Sequence, residues 1–367
     1  MVTRCPALLL LAGCGSEVCF VEVDGATEVG RVDGGWGLYA PGEAGGVMLR
    51  TSQDWDGSGT VEAIRVGADL TALGEPVTVA TAREPFAASA AWGDGLWMVV
   101  WTDDDGLWAR PLDDSLAPLG DAQRIEVPDG SAFTPAVAWD GEAFGILVAV
   151  GFGNTDMYFA RVSPEGQRLL DLQLIADEGH AGRPLLVWNG QSYGALWRGE
   201  NATDWPYYFL AMDRLGLSYT QQSLGDGISW NTYGADLAWS GEEWWVGWGT
   251  DAQDLGLGGG SVFVGRISAS GGLRVGDHVL RFEEAVGSVT LAPNDDRHHV
   301  FWTREDGVMG AMALTPDVYI DGCVALSSHP TGTSVLSAER LDSDRARARL
   351  SGGDLGDTRF LDWEVNW

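Results

Sequence analysis

The chain has 367 residues, 45% of them apolar, with 18 Trp and 52 Gly, and it sets 22 Lys and Arg against 53 Asp and Glu. A formal net charge of -31 repels nucleic-acid phosphates and anionic headgroups, which excludes a nucleic-acid partner. Tryptophan in such number buries large area while keeping one N–H to satisfy, and abundant glycine serves tight turns at positive φ, so the composition points to packed sheets joined by short turns.

The amino terminus, MVTRCPALLLLAGCGS, has one positive residue (Arg4), an apolar run from Pro6 to Ala12, and small residues before a cysteine. Its tetrad Leu11-Ala12-Gly13-Cys14 resembles the lipobox of bacterial lipoproteins. The resemblance implies a signal peptide over residues 1–13, cut before Cys14, whose thiol then carries a diacylglycerol; an ordinary signal peptide cut elsewhere is the alternative. The apolar run is too short to span a bilayer, so it reads as a processed signal. In that family Gly15 after the lipidated cysteine implies export to the outer membrane. The expected location is therefore the bacterial cell envelope, on its periplasmic or surface face, touching membrane only through the lipid. With Cys5 discarded and Cys14 lipidated, Cys19 and Cys323 remain, and two cysteines in an exported protein are expected to form one disulfide. Two unpaired thiols are the alternative.

Downstream, one pattern recurs. The stretch TPAVAWDGEAFGILVAVGFGNTDMYFARVSPEG, Thr134 to Gly166, reads as three antiparallel strands joined by short turns at Asp140-Gly141 and Gly151 to Asp156. First strands align on SAAWGDG (Trp92), AVAWDGE (Trp139), LLVWNGQ (Trp188) and DLAWSGE (Trp239), with weaker copies at GLYAPGE and VTLAPNDD. Second strands align as VMLR, LWMVVW, FGILVAV, YGALW, WWVGW and HVFW, four of them ending on Trp101, Trp197, Trp248 and Trp302. Third strands bring Arg65, Arg110, Arg161 and Arg266 into register, and PVTVA, QRIEV and LQLIA supply fourth strands.

Four antiparallel strands at a period of about 50 residues make a β-propeller blade. The second strands are nearly continuous apolar runs, so both their faces must be covered, as happens when sheets stack face to face. The units look like the W-D-G-containing propeller repeats of secreted bacterial lipoproteins, a resemblance that implies architecture and little about activity. The fold expected is all-β, a β-propeller of four-stranded antiparallel blades forming a single domain over residues 14–367. Residues 331–367, joined by an N-terminal strand at Cys19 to Val23 or Thr27 to Val32, would make a last blade built from both termini. That gives seven blades, the preferred count; six is the alternative if the segment is a tail.

Few motifs carry chemistry. The hairpin Asp54-Trp55-Asp56-Gly57-Ser58-Gly59-Thr60-Val61-Glu62 resembles the calcium loops of some propeller blades. Ca²⁺ takes six to eight hard oxygens, and the resemblance implies as ligands the side chains of Asp54, Asp56 and Ser58, the carbonyl of Thr60, and Glu62 closing the site. A solvated acidic turn is the competing reading, and Asp103-Asp104-Asp105 at the next hairpin is read as solvated. Of His298 and His299, one is expected to face the core and one a loop. Hydrolase motifs of the G-x-S-x-G and H-E-x-x-H types are absent from the sequence. Trp55, Trp205, Trp230 and Trp244 lie in or beside turns, where an aromatic rim stacks on sugar rings. The function expected is a non-catalytic, lipid-anchored envelope propeller presenting loops to a protein or glycan. A polysaccharide-acting propeller enzyme using paired carboxylates and a purely structural envelope protein are the alternatives.

Overall fold

The computed structural model describes residues 21–22, 27–33, 38–68, 71–128, 130–152, 154–177, 181–199, 206–224, 234–250, 260–281, 286–292, 298–304, 309–315, 320–326, 334–340, 345–352 and 357–366. Every regular element among them is a strand, and the chain divides into two compact units, residues 34–223 and residues 1–33 with 224–367.

The chain opens with β1 (Val21–Glu22) and β2 (Thr27–Asp33). The unit of residues 34–223 then holds four sheets. They are β3 (Leu38–Gly42), β4 (Gly45–Gln53), β5 (Ser58–Val66) and β6 (Val77–Arg83); β7 (Ala87–Gly93), β8 (Leu96–Asp103), β9 (Gly106–Leu112) and β10 (Gln123–Ile125); β11 (Ser131–Trp139), β12 (Phe144–Phe152), β13 (Asn154–Val162) and β14 (Arg168–Ala176); and β15 (Gly182–Trp188), β16 (Tyr193–Arg198), β17 (Tyr207–Met212) and β18 (Ser218–Leu224). In each sheet the strands hydrogen-bond in chain order, and the first strands β3, β7, β11 and β15 lie beside one another.

The other unit repeats the plan with β19 (Asp236–Trp239), β20 (Glu243–Thr250), β21 (Ser261–Ser268) and β22 (Leu273–Arg281), then β23 (Val286–Ala292), β24 (His298–Arg304), β25 (Met309–Leu314) and β26 (Ile320–Leu326). Strand β1 adds to β26 in parallel. The chain's last strands, β27 (Ser334–Arg340), β28 (Arg345–Gly352) and β29 (Asp357–Asn366), form a sheet completed by β2, antiparallel to β29. Among the described residues this makes seven sheets. The all-β propeller architecture expected from the sequence is the one observed.

The packing shows why the second strands carry no polar alternation. All eight residues of β8 are buried. Trp97, Val99 and Trp101 pack with Val47, Leu49 and Ala63 of the preceding sheet, whereas Met98 and Val100 pack with Val137, Ile146 and Val148 of the following one. Successive side chains of a strand point to opposite faces, so a strand covered on both sides is apolar at every position. Each large side chain so buried contributes about 1.5–3 kcal/mol. The fourth strands differ: β6 and β14 have one face open and are largely exposed or half-buried.

Two aromatic pairings recur in the sheets. The first-strand Trp meets an aromatic residue five positions later, across the first turn, in Trp92–Trp97, Trp139–Phe144, Trp188–Tyr193 and Trp239–Trp244, with ring centroids 4.7 to 5.0 Å apart. The second pairing crosses the second and third strands: Trp101 opposes Trp108, Trp197 opposes Tyr208 and Trp248 opposes Phe263, each stacked. Aromatic neighbours across strands are worth about 0.5–1.5 kcal/mol beyond their area.

Candidate functional site

The turns of the repeats share one construction. After the first-strand Trp, Asp140, Asn189 and Ser240 each accept hydrogen bonds from the N–H groups two and three residues on, at 2.7–3.4 Å. After the third strand, Asp113, Ser163, Asp213 and Ser268 do the same for the N–H four residues on, at 2.9–3.2 Å. Short polar side chains that accept from nearby N–H groups fix a turn without other help. These second turns contain a residue at positive φ, which is Gly166, Gly216 or Gly271 in three of them and Leu116 in the fourth. The same spacing stands in the sequence as DDSL, SPEG, DRLG and SASG.

Asp140 does more than close its turn. Its side chain is fully buried, and its Oδ2 accepts from Arg161 Nη2 at 2.6 Å and from the Tyr193 hydroxyl at 2.7 Å. Arg214 donates to the Asp140 carbonyl at 2.8 Å, pairs with Glu142 at 2.5 Å and lies 5.1 Å over the Trp188 ring. Burial alone would raise the Asp140 carboxyl, but the Tyr193 hydroxyl, the Ala143 and Glu142 N–H groups and Arg161 together hold it below the usual range. Desolvation and the adjacent carboxylate push the Tyr193 phenol well up, so it stays a donor. The carboxylate, the phenol and both guanidinium groups pair within the protein, with only the Nε atoms of Arg161 and Arg214 lacking a hydrogen bond among the described residues, so this cluster is a fastener between two sheets.

The other in-register arginines are also engaged. Arg65 reaches Asp114 at 2.8 Å, Arg110 donates to the Val79 and Gly120 carbonyls, and Arg266 pairs with Glu243.

An open cleft of about 630 Å³ lies between the first two sheets of the same unit. One side is the β4–β5 hairpin with Asp56 and Ser58, backed by Thr81 and Arg83 of β6; the other is Trp101 and Asp103 of β8, Asp105 of the turn, and Trp108 and Arg110 of β9. The Asp104 N–H donates to the Arg83 carbonyl at 3.0 Å and joins the two walls. Asp103 is 5% exposed. Its Oδ1 accepts from the Asp105 and Gly106 N–H groups at 2.9 and 3.1 Å and from Trp108 Nε1 at 3.0 Å. Its Oδ2 has no hydrogen-bond partner among the described residues. Burial raises the Asp103 carboxyl, and the Trp108 indole and the backbone N–H groups only partly oppose that. The acidic triplet is therefore not uniformly solvated: Asp104 and Asp105 are exposed, while Asp103 turns inward because its turn needs the acceptor.

In the hairpin read as a calcium loop, Asp56 and Ser58 meet each other, while Glu62 pairs with Arg50. Asp56 Oδ1 accepts from the Ser58 N–H at 3.0 Å and hydroxyl at 2.6 Å, which lowers the Asp56 carboxyl. Thr60 meets Ser52 across the ladder at 2.8 Å, and Glu62 is held by Arg50 at 2.7 Å. Asp54 enters the turn through its backbone. Among the described residues no group of three or more His, Cys, Asp or Glu is placed to hold a metal.

Of the four candidate rim tryptophans, Trp55 is 98% exposed at the hairpin tip. Trp244 is fully buried against Trp239 and belongs to the core, and Trp205 and Trp230 lie outside the described residues. His298 and His299 are both buried, so neither faces a loop; His298 stacks on Trp245, and desolvation and Arg266 push it down to about 3. Cys14 and Cys19 lie outside the described residues, and Cys323 stands opposite Met312 on β26. No helix of the described residues is long and apolar enough to cross a membrane.

No family model matches the chain, and no curated protein matches it. Among solved structures it is similar to the hydrazine synthase of Kuenenia stuttgartiensis, at 12% identity and a TM-score of 0.52 over 90% of this chain and 95% of that one. It is also similar to the acylaminoacyl peptidase of Pyrococcus horikoshii, at 10% identity and a TM-score of 0.50, over 92% of this chain and 52% of that one. At such identities the likeness shows a shared β-propeller fold and nothing of activity.

Proposed function

We propose that the chain is a non-catalytic, lipid-anchored β-propeller of the bacterial cell envelope that presents a loop surface to a protein or glycan partner. The cleft carries this reading. It places a nearly enclosed carboxylate, with one oxygen unpartnered among the described residues, beside the hairpin that carries the exposed Trp55. The anchor rests on Leu11-Ala12-Gly13-Cys14. Two or three acyl chains would hold the protein firmly, each buried CH₂ contributing about 0.8 kcal/mol. Full-length chain expressed in a bacterial host is expected in the membrane fraction, and Cys14→Ala is expected to release it; retention of that variant overturns the anchor. For the binding role, the full-length chain immobilised through its carboxyl terminus is expected to retain an envelope glycan or protein. Failure to retain either overturns it.

A second reading, a polysaccharide-acting enzyme, draws on one observation. Asp103 and Asp56 line the same cleft with carboxyls shifted in opposite directions, the asymmetry that general acid and carboxylate partners show in glycosidases. Release of reducing ends from an oligosaccharide, abolished by Asp103→Asn, would favour it over simple binding.

A further inference from the structure

We infer that the cleft between the first two sheets of the unit of residues 34–223 is a saccharide site, with Trp55 as the stacking surface and Asp103 as the buried acceptor for a ring hydroxyl. This rests on the binding reading above and names its ligand and residues.

Three observations carry it. The lining has both signs: Asp56, Asp103 and Asp105 accept, while Arg83, with 71% of its side chain exposed, has donors to offer. A hydroxyl both donates and accepts, so a neutral polyol uses such a lining fully. An anion would meet three carboxylates on a chain of net charge -31, and a cation would meet Arg83 and Arg110. Second, Asp103 is nearly enclosed, yet its Oδ2 has no protein partner among the described residues. A solvent-reachable carboxylate oxygen whose twin is held rigidly by three donors is a preorganised acceptor, at little entropic cost on binding. Third, Trp55 is the chain neighbour of Asp56, which lines the cleft; its own ring is not part of the lining and stands in solvent at the hairpin tip. At 98% exposure its indole contributes nothing to the core, whereas Trp97, Trp197, Trp244, Trp245 and Trp302 are all but fully enclosed. An indole face accepts the C–H face of a pyranose ring, and the cleft volume falls within the range of small-ligand sites.

The test uses the full-length chain and neutral oligosaccharides of the cello-, chito-, malto- and xylo- series, read by titration calorimetry. At least one series is expected to bind, with Trp55→Ala and Asp103→Asn each weakening it about tenfold and Phe152→Ala, an exposed aromatic on another hairpin, changing it less than about twofold. Trp55→Ala removes a side chain that packs on nothing, so it reads the site even if Asp103→Asn perturbs its turn. Binding that ignores both cleft variants overturns this assignment and leaves the glycan reading standing. Binding of no oligosaccharide, with an envelope protein still retained, overturns the saccharide class and leaves the protein reading standing. Retention of nothing at all overturns both.

Discussion

Asp140 and Asp103 are built into the same kind of turn and end up with opposite roles. Each lays Oδ1 across the N–H groups two and three residues on. At Asp140 the second oxygen meets Arg161 and Tyr193; at Asp103 it meets nothing among the described residues. One carboxyl is lowered and the other raised, although both are buried. The difference teaches that the turn device is structural, and that what stands opposite the free oxygen decides whether an aspartate fastens sheets or is left for a ligand.

The sharpest way to break the comparison is Asp140→Ala. It strands a buried guanidinium and a buried phenol, and is expected to cost about 3–5 kcal/mol, seen as a large fall in Tm. Gly145→Ala comes next: a Cβ there would lie 2.6 Å from Tyr193 Cζ and 2.7 Å from its hydroxyl, on a ring held by Asp140 and Trp188. Overpacking of this kind costs about 1–3 kcal/mol, and Tyr193→Phe in the same chain should recover little of it, because the ring itself is in the way.

Proton linkage sharpens the contrast. The Asp140 carboxyl is lowered in the folded state, so its contribution is present above the ordinary carboxylate value and is lost as pH falls through the folded value. Asp103 is raised, so stability is lost as pH rises from the ordinary value through the folded one. Asp103→Asn is therefore expected to be near neutral in Tm at pH 7 and mildly destabilising at low pH; a large loss at pH 7 would contradict the assignment.

The unit containing β19 and β24 offers the same opposition. Burial raises Asp236 to about 6 against the Leu291 and Leu237 N–H groups, so it loses stability as pH climbs from about 4 to about 6. His298, lowered to about 3, loses stability as pH drops below about 6.5. Chemical denaturation of Asp236→Asn across that range should show a weaker decline between pH 4 and 6 than the parent. The smallest effect expected is that of calcium: with Glu62 held by Arg50, the ion should leave Tm unchanged in parent and Asp56→Ala alike. A calcium-dependent rise lost in Asp56→Ala would instead identify the loop as a metal site.

The repeats were legible because burial on both faces writes itself into the second strands and because Trp92, Trp139, Trp188 and Trp239 recur at one turn. The in-register arginines were legible as positions, but not their partners, since those come from other strands, other sheets or carbonyls. Trp244 was misplaced because adjacent Trp244 and Trp245 cannot be sorted by alternation when both faces are covered. Asp103 was misread for a related reason: in a run of three acids, only the turn's N–H directions distinguish the one that points inward.

The pairing of each first-strand tryptophan with the aromatic five residues on has a further consequence. A contact so close in sequence forms after a very short chain closure, long before distant sheets need to meet. Every unit thus brings its own buckle, and a chain grown by copying such a unit gains a hairpin able to zip unaided before it is asked to dock.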